Sequence, residues 1–447
     1  MARPSRADNA SLSTELTDVN QVEYRQLRLE RVVLVSVWTT GTAQDADVAM
    51  AELSSLADTA GALVVDTLIQ RRDQPDPATY VGSGKVSEIR DAVVASGADT
   101  VICDGELSPA QLRNLEDKLD VKVVDRTTLI LDIFAQHARS VEGKTQVELA
   151  QLNYLRQRLR GWGDSLSRQV GGRAAGGVGI GGRGPGETKI ETDRRRINSR
   201  AAVLRRRLKT MANTRALSRS TRQRDQIPSV AIVGYTNAGK SSLLNRLTDA
   251  DVLIEDALFA TLDPTTRRAK ADDGRIYTLT DTVGFIQHLP TDLVEAFKST
   301  LEETVQADLL AHVVDGSNAD PLAQVRAVQD VLSQIGANEV PQITVINKID
   351  VATPDMLATL RHSIPDAIFV SATTGEGVDK LREAMEARLP QPGVLVDLIV
   401  PWSRGDLIDK AHRTGKVMTA EPTADGTHLV GRVHPGLAAE LESASVG

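Results

Sequence analysis

Gly234-Tyr235-Thr236-Asn237-Ala238-Gly239-Lys240-Ser241, followed by Ser242, has the residue types and spacing of a phosphate cradle. Two glycines, at the first and sixth positions of this loop, let backbone N–H groups converge on one anion. The lysine after the second glycine reaches the outer phosphates, and the Ser241 hydroxyl suits a divalent cation. Such a loop serves phosphoryl transfer or hydrolysis, where the protein positions groups and neutralises charge.

Four further segments narrow the chemistry. In Asp281-Thr282-Val283-Gly284 the aspartate can hold Mg2+ through water, and the Gly284 N–H can meet a γ-phosphate. Phe259-Ala260-Thr261-Leu262-Asp263 offers Thr261 as a second Mg2+ ligand beside Ser241. In Asn347-Lys348-Ile349-Asp350 the Asp350 carboxylate can accept both N–H groups on the Watson–Crick edge of guanine. Adenine lacks that paired donor edge, so GTP is selected over ATP. Ser371-Ala372-Thr373 matches a last base-contacting loop, with the Ala372 N–H on the base oxygen. Each tetrapeptide alone is weak; in this order, each after an apolar run, they specify a GTP/GDP site. Lys240, Thr261 and Gly284 are expected to carry hydrolysis, with Mg2+ as cofactor.

Two positions depart from the common pattern. Phe285 stands where many GTPases place a water-orienting glutamine. Phenylalanine cannot hydrogen-bond water, so slow intrinsic turnover raised by a partner is expected, and Phe285→Ala should leave that slow turnover largely intact. The carbonyl of Asn237 can help bind K+, or the residue simply suits a turn at positive φ; the residues leave both readings open.

The elements that must position these groups are legible from periodicity. Apolar runs Ser229–Val233, Arg275–Thr280, Ile343–Ile346 and Ala367–Val370 each end at a motif, which predicts a doubly wound α/β nucleotide domain over 228–390. Upstream, strands Val32–Trp38, Ala62–Ile69, Asp99–Cys103 and Val121–Val124 are interleaved with helical patterns at Ala46–Ala60, Lys85–Ala95 and Ser108–Leu119. That rhythm predicts a small parallel α/β domain over 26–140, after a disordered 1–25. Gly82-Ser83-Gly84-Lys85 lacks the first glycine of a phosphate loop and is followed by Val86, so it reads as a loop entering a helix. Residues 394–447 read as a small α+β tail.

Between the two α/β domains, 141–213 reads as a helical hairpin. A helix covers 141–160, and a second runs from Thr188 or Thr192 to about Met211, ahead of a polar linker over 211–227. The tip, Gly161–Gly186, holds 11 glycines, a composition that costs too much entropy for packed helix or strand. Residues 156–224 carry 19 Lys+Arg against 4 Asp+Glu, in a chain whose net charge is −8. So local an excess suggests a polyanion-binding arm, although a solvated arginine-rich helix face is the simpler alternative. Arg168, Arg173 and Arg183 in the tip, and Arg194, Arg195, Arg196, Arg205, Arg206 and Arg207 in the second helix, are the candidate RNA contacts. The single cysteine, Cys103, excludes an intrachain disulfide. The first 20 residues lack an apolar leader segment, and apolar runs are strand-sized. A cytoplasmic monomer with no membrane partner is expected.

Leu258–Thr266 (LFATLDPTT), Asp281–Ile286 (DTVGFI), Gly182–Thr188 (GRGPGET) and Asp104–Gln111 (DGELSPAQ) resemble the HflX family of phosphate-loop GTPases. The likeness spans about residues 26–390, and the tail is compatible with the extra domain some members carry. It implies binding to the large (50S) ribosomal subunit and ribosomal RNA, with the glycine-rich hairpin reaching toward the peptidyl-transferase region. It also implies splitting or rescue of stalled ribosomes under stress. Spacing and composition by themselves reach only a GTPase with a basic arm. One alternative is a GTPase in ribosome assembly or RNA remodelling with an ATP-dependent RNA activity in the amino-terminal domain. Another is a scaffold that binds GTP without turning it over.

Overall fold

The computed structural model describes residues 30–171, 185–224, 227–248, 258–259, 261–286, 297–390 and 392–445. The described residues form two compact units: those up to Ile133 with those of Glu148–Arg207, and those of Phe134–Val147 with those from Leu208 onward.

The first unit is built on β1 (Arg31–Trp38), β2 (Leu63–Arg71), β3 (Thr100–Cys103) and β4 (Lys122–Asp125), parallel and in the order β2-β1-β3-β4. β1 is rich in valine with Val32–Val35 buried, the pattern of a strand covered on both faces. Helices α1 (Ala43–Thr59), α2 (Ser83–Ser96) and α3 (Pro109–Leu119) alternate with the strands. Capping boxes at Thr42/Asp45 and Ser108/Gln111 fix the starts of α1 and α3. Gly82 opens α2, and Lys85 pairs with Glu88 one turn on at 2.8 Å, as a helix entry would have it.

Helix α4 (Arg126–His137) is not evident from periodicity. Leu129, Ile130, Leu131 and Ile133 are all fully buried, and a helix without a polar face has no amphipathic period. Helices α5 (Val141–Gly171) and α6 (Pro185–Arg224) correct two expected boundaries. α5 continues through Gly161 and Gly163, where the helix is expected to end at 160. α6 runs on through the stretch expected to be a polar linker. Residues 211–224 contain neither glycine nor proline and hold four Arg, so nothing in them breaks a helix although no apolar stripe advertises one. Within the first unit α5 and α6 lie side by side: Arg200 grips Glu148 with two hydrogen bonds of 2.6 and 3.0 Å, and Arg205 reaches Asn153 at 3.1 Å.

In the second unit β5 (Ser229–Gly234), β6 (Thr265–Lys270), β7 (Ile276–Asp281), β8 (Leu309–Asp315), β9 (Gln342–Asn347) and β10 (Ile368–Phe369) form one sheet in the order β10-β9-β8-β5-β7-β6. Only the edge strand β6 is antiparallel to its neighbour. Helices α7 (Lys240–Thr248), α8 (Lys298–Val305), α9 (Pro321–Ile335), α10 (Pro354–Ser363) and α11 (Val378–Arg388) accompany it. All seven residues of β8 are buried, as befits a central strand. The tail adds β11 (Val394–Pro401), α12 (Gly405–Thr414), β12 (Lys416–Pro422), β13 (Gly426–Val433) and α13 (Pro435–Ala444). Its antiparallel sheet β11-β13-β12 has a core of its own, including Val396, Val400, Leu407, Leu429 and Leu441. Among the described residues no helix is long and apolar enough to cross a membrane.

Candidate nucleotide site

The phosphate cradle sits where the topology allows it. β5 lies between β7 and β8, and the connections lead away on opposite sides, so the carboxyl end of β5 opens a crevice. The chain turns there through Tyr235–Gly239 and enters α7, whose Leu243, Leu244 and Leu247 are buried. Two backbone hydrogen bonds tie the loop to the Asp281–Phe285 segment: Thr236 N donates to Phe285 O at 2.8 Å, and Phe285 N to Gly234 O at 3.1 Å. A Cβ on Gly284 would lie 2.8 Å from Thr236 Cγ2, 2.9 Å from Thr236 Cα and 3.0 Å from Lys240 Nζ. Only glycine permits that approach.

Lys240 is buried, and its Nζ donates to Tyr235 O at 2.8 Å. Burial pushes its pKa down to about 8, with Asp281 pulling the other way. Asp281 is fully buried; burial raises its pKa, while Lys240 and the hydroxyls of Ser241 and Thr261 favour the carboxylate. Ser241 Oγ donates to Asp281 Oδ2 at 2.6 Å, Thr261 Oγ1 to the same oxygen at 3.1 Å, and the two hydroxyls are 2.9 Å apart. Among the described residues, Asp281 Oδ1 is buried with no side-chain partner. Two hydroxyls and an unsatisfied carboxylate oxygen form a hard-oxygen donor set that fits Mg2+.

On the base side Asn347 is a buried staple. Its Nδ2 donates to Ala238 O at 2.9 Å, and its Oδ1 accepts from Ala372 N at 3.0 Å. Lys348, at φ +62°, pairs with Asp315 at 2.8 Å. Ile349 packs by Ile346 and Leu360, and Asp350 is exposed at the end of the loop. Ser371 Oγ accepts from Thr374 N at 3.0 Å. Arg246, near the end of α7, donates to the carbonyls of Ala372 and Thr373 at 3.2 and 2.6 Å. Neither Arg246 nor Asp315 belongs to a motif, and no local pattern singles them out.

The predicted residues of Gly234–Ser242, Asp281–Gly284, Asn347–Asp350 and Ser371–Thr373 therefore converge on one end of the sheet. Asn237 is exposed at φ +57°, the turn conformation asparagine tolerates. Thr282 is buried with its hydroxyl on Ile232 O, and Val283 is buried beside it. Phe259 and Leu262 are buried, Ala260 lies outside the described residues, and the Asp263 carboxylate faces Arg139 and Ser140 rather than the phosphate loop. Phe285 is 1% exposed. Its ring is a core side chain, so Phe285→Ala carries a cost in stability that the expectation about turnover does not include.

Of the candidate RNA contacts, Arg194, Arg195, Arg196, Arg205, Arg206 and Arg207 are exposed, with Ile197, Ala201 and Leu204 as the buried stripe of the same helix. Arg195 pairs with Glu191 at 2.8 Å within the helix. The side chain of Arg168, and Arg173 and Arg183 altogether, lie outside the described residues.

Known proteins share this organisation. Residues 47–135 match the family described as GTP-binding GTPase N-terminal, 137–222 the GTP-binding GTPase Middle Region, and 229–348 the 50S ribosome-binding GTPase. GTPase HflX of Lacrimispora saccharolytica is 47% identical over 429 residues, covering 96% of this chain and 98% of its own. That of Caldanaerobacter subterraneus is 48% identical over 389 residues, 87% of each chain. That of Escherichia coli K12 is 44% identical over 402 residues, 89% of this chain and 92% of its own. With a complete phosphate cradle, a guanine loop stapled to it by Asn347, and relatives this near over almost its whole length, the chain belongs to the HflX family and is a GTP-hydrolysing enzyme.

Proposed function

We propose that the protein is a cytoplasmic, monomeric GTPase that binds the large ribosomal subunit and splits or rescues stalled ribosomes. The match of residues 229–348 to a family described as 50S ribosome-binding, in a chain that also carries exposed arginines along α6, supports this reading most directly. The hairpin of residues 141–213 acts as the RNA-seeking arm, and residues 228–390 act as the GTPase domain.

Asp350 accepts from guanine, the Ala372 N–H meets its oxygen, and Lys240 and the loop amides bind the β and γ phosphates. Ser241, Thr261 and Asp281 would hold Mg2+, which when bound would neutralise charge on the phosphates. Closing Thr261 onto Ser241 and Asp281 excludes water from the phosphate end. The Gly284 N–H marks the γ-phosphate, so loss of that phosphate releases both loops. Because the Phe285 ring is in the core, the attacking water is oriented by another group, and ribosomes raise a slow intrinsic rate. K+ held by the Asn237 carbonyl would be one such group; an Asn237→Ala variant that kept a full K+ response would remove it and leave Asn237 as a turn residue.

The deciding experiment is cosedimentation with 50S subunits in GTP, GDP and a non-hydrolysable GTP analogue. Binding in the analogue and release in GDP are expected. No binding in any of the three would sink the ribosome reading, and equal binding in all three would sink its control by the nucleotide. Asp350→Asn tests the pocket separately: it should lose GTP affinity by roughly ten- to a hundredfold, since a charge-assisted hydrogen bond contributes about 1.5–3 kcal/mol. The same variant should gain affinity for xanthosine triphosphate.

A further inference from the structure

Switch I, the segment around Thr261, is gripped from outside the nucleotide motifs. Asp263, two residues beyond Thr261, accepts from Ser140 N at 2.7 Å and Arg139 N at 3.1 Å through Oδ2, and from Ser140 Oγ through Oδ1. Ser140 is the residue before α5, and its Oγ also accepts from Gly143 N at 2.8 Å. The switch aspartate thus completes the cap of α5, whose preceding residue, Ser140, lies 123 positions before it. The fit is tight: a Cβ on Gly143 would stand 2.4 Å from Asp263 Oδ1.

A second grip lies beside it. Phe134, near the end of α4, is 1% exposed and meets Phe259 of switch I edge-on, ring centroids 4.6 Å apart. It also meets Phe297, just before α8, at 4.7 Å. Phe259 has φ +57°, a conformation a bulky side chain adopts only when its surroundings enforce it. Phe134, Ser140 and Gly143 belong to the short segment Phe134–Val147 that packs with the nucleotide domain rather than with the first unit. In this arrangement Thr261 stands on Ser241 and Asp281.

We infer that Asp263 is a positioning residue for GTP hydrolysis, latching switch I onto Ser140 so that Thr261 is held at the phosphate end. The first turn of α5 is then an internal support for the closed switch, and closing the switch completes the cap of α5. The inference rests on Thr261 as the switch ligand proposed above.

The experiment is a double-mutant cycle in the full chain, with Asp263→Ala, Gly143→Ala and both together. Single-turnover GTP hydrolysis and affinities for GDP and a non-hydrolysable GTP analogue are measured. GDP does not need switch I closed, so its affinity should hold. Analogue affinity and turnover should each fall roughly tenfold or more in Asp263→Ala, the scale of removing charge-assisted hydrogen bonds. Gly143→Ala should do the same by pushing the carboxylate off Ser140, although alanine is the better helix former and would merely stabilise α5 if packing were all that mattered. In the Asp263→Ala background Gly143→Ala should add nothing, because the atom it strikes is gone. Unchanged turnover and an unchanged analogue-to-GDP ratio in both single variants, or fully additive losses, would overturn the latch. Thr261→Ala is the control. If it leaves turnover intact, Thr261 is not the switch ligand and the inference falls with it; if it abolishes turnover while Asp263→Ala does not, only the latch falls.

Discussion

Lys240 illustrates how a side chain selected for phosphate works against the free protein. Its folded pKa of about 8 lies below the ordinary lysine value of 10.5, because burial disfavours the ammonium. Below pH 8 the folded protein therefore bears the full cost of a buried charge, and that cost fades as pH rises from 8 to 10.5. Lys240→Met should melt higher than wild type at pH 7 without nucleotide, by up to about 3 kcal/mol, with the gain disappearing toward about pH 10. The same variant should lose nucleotide binding. In the wild type, GTP affinity should fall as pH rises above about 8, with proton uptake on binding that calorimetry in buffers of different ionisation enthalpy would read. No proton uptake between about pH 8 and 9 would mean that Lys240 is charged throughout. Phe285 makes the opposite case, an expected chemical role replaced by packing. Phe285→Ala removes a fully buried ring and should destabilise the second unit by about 3–5 kcal/mol. A melt indistinguishable from wild type would place the ring outside the core.

At the scale of elements, α6 divides its arginines by task. Arg200 and Arg205 reach back to Glu148 and Asn153 on α5, so they serve helix pairing. Both partners of the Arg200–Glu148 pair are partly exposed, and such a pair contributes about 1 kcal/mol at most. Arg194, Arg196, Arg206 and Arg207 are exposed on the same helix, and the proposed polyanion contact would draw on them. Replacing these four by glutamine should weaken 50S binding and flatten its salt dependence, by up to about one unit of the log–log slope for each phosphate no longer neutralised. GTP affinity should stay within a factor of about two, because α6 supplies no nucleotide motif. Cosedimentation over a salt series checks the first part and a nucleotide titration the second. An unchanged salt slope would make these arginines a solvated helix face.

For the whole molecule, the two units place their ionisable groups differently. His312 sits in the central strand β8 of the second unit, fully buried, with no partner for either ring nitrogen among the described residues. Burial, with Lys240 adding to it, pushes its pKa down to about 4. The unfolded chain binds a proton near pH 6.5 that the folded unit refuses, so stability is lost as pH falls from 6.5 to 4 and levels below that. The loss is at most about 3 kcal/mol. In the first unit burial raises the thiol of Cys103, which stays neutral across this range and adds no such slope. Thermal unfolding followed from about pH 7 to 4 should show the second unit's transition falling, with His312→Leu removing a large part of its slope. An equal slope in that variant would assign the acid sensitivity to the carboxylates.

The amino-acid sequence by itself determined the chemistry of the site. Glycines, Lys240, Ser241, Asp281, Asn347 and Asp350 act through types and spacings contained within a few residues. The strands that end at those motifs announce themselves by runs of apolar residues a few positions long. What only the tertiary structure decided involves surroundings that no short window contains. The Phe285 ring faces the core because its backbone is tied to the phosphate loop by hydrogen bonds at Thr236 and Gly234. Arg246 reaches a loop 126 residues away, and Asp263 caps a helix through a residue 123 positions away. α4 escapes notice because its middle is apolar on every side, and the last part of α6 because it is polar on almost every side. Amphipathic periodicity records a helix only where one face meets the core and the other meets water.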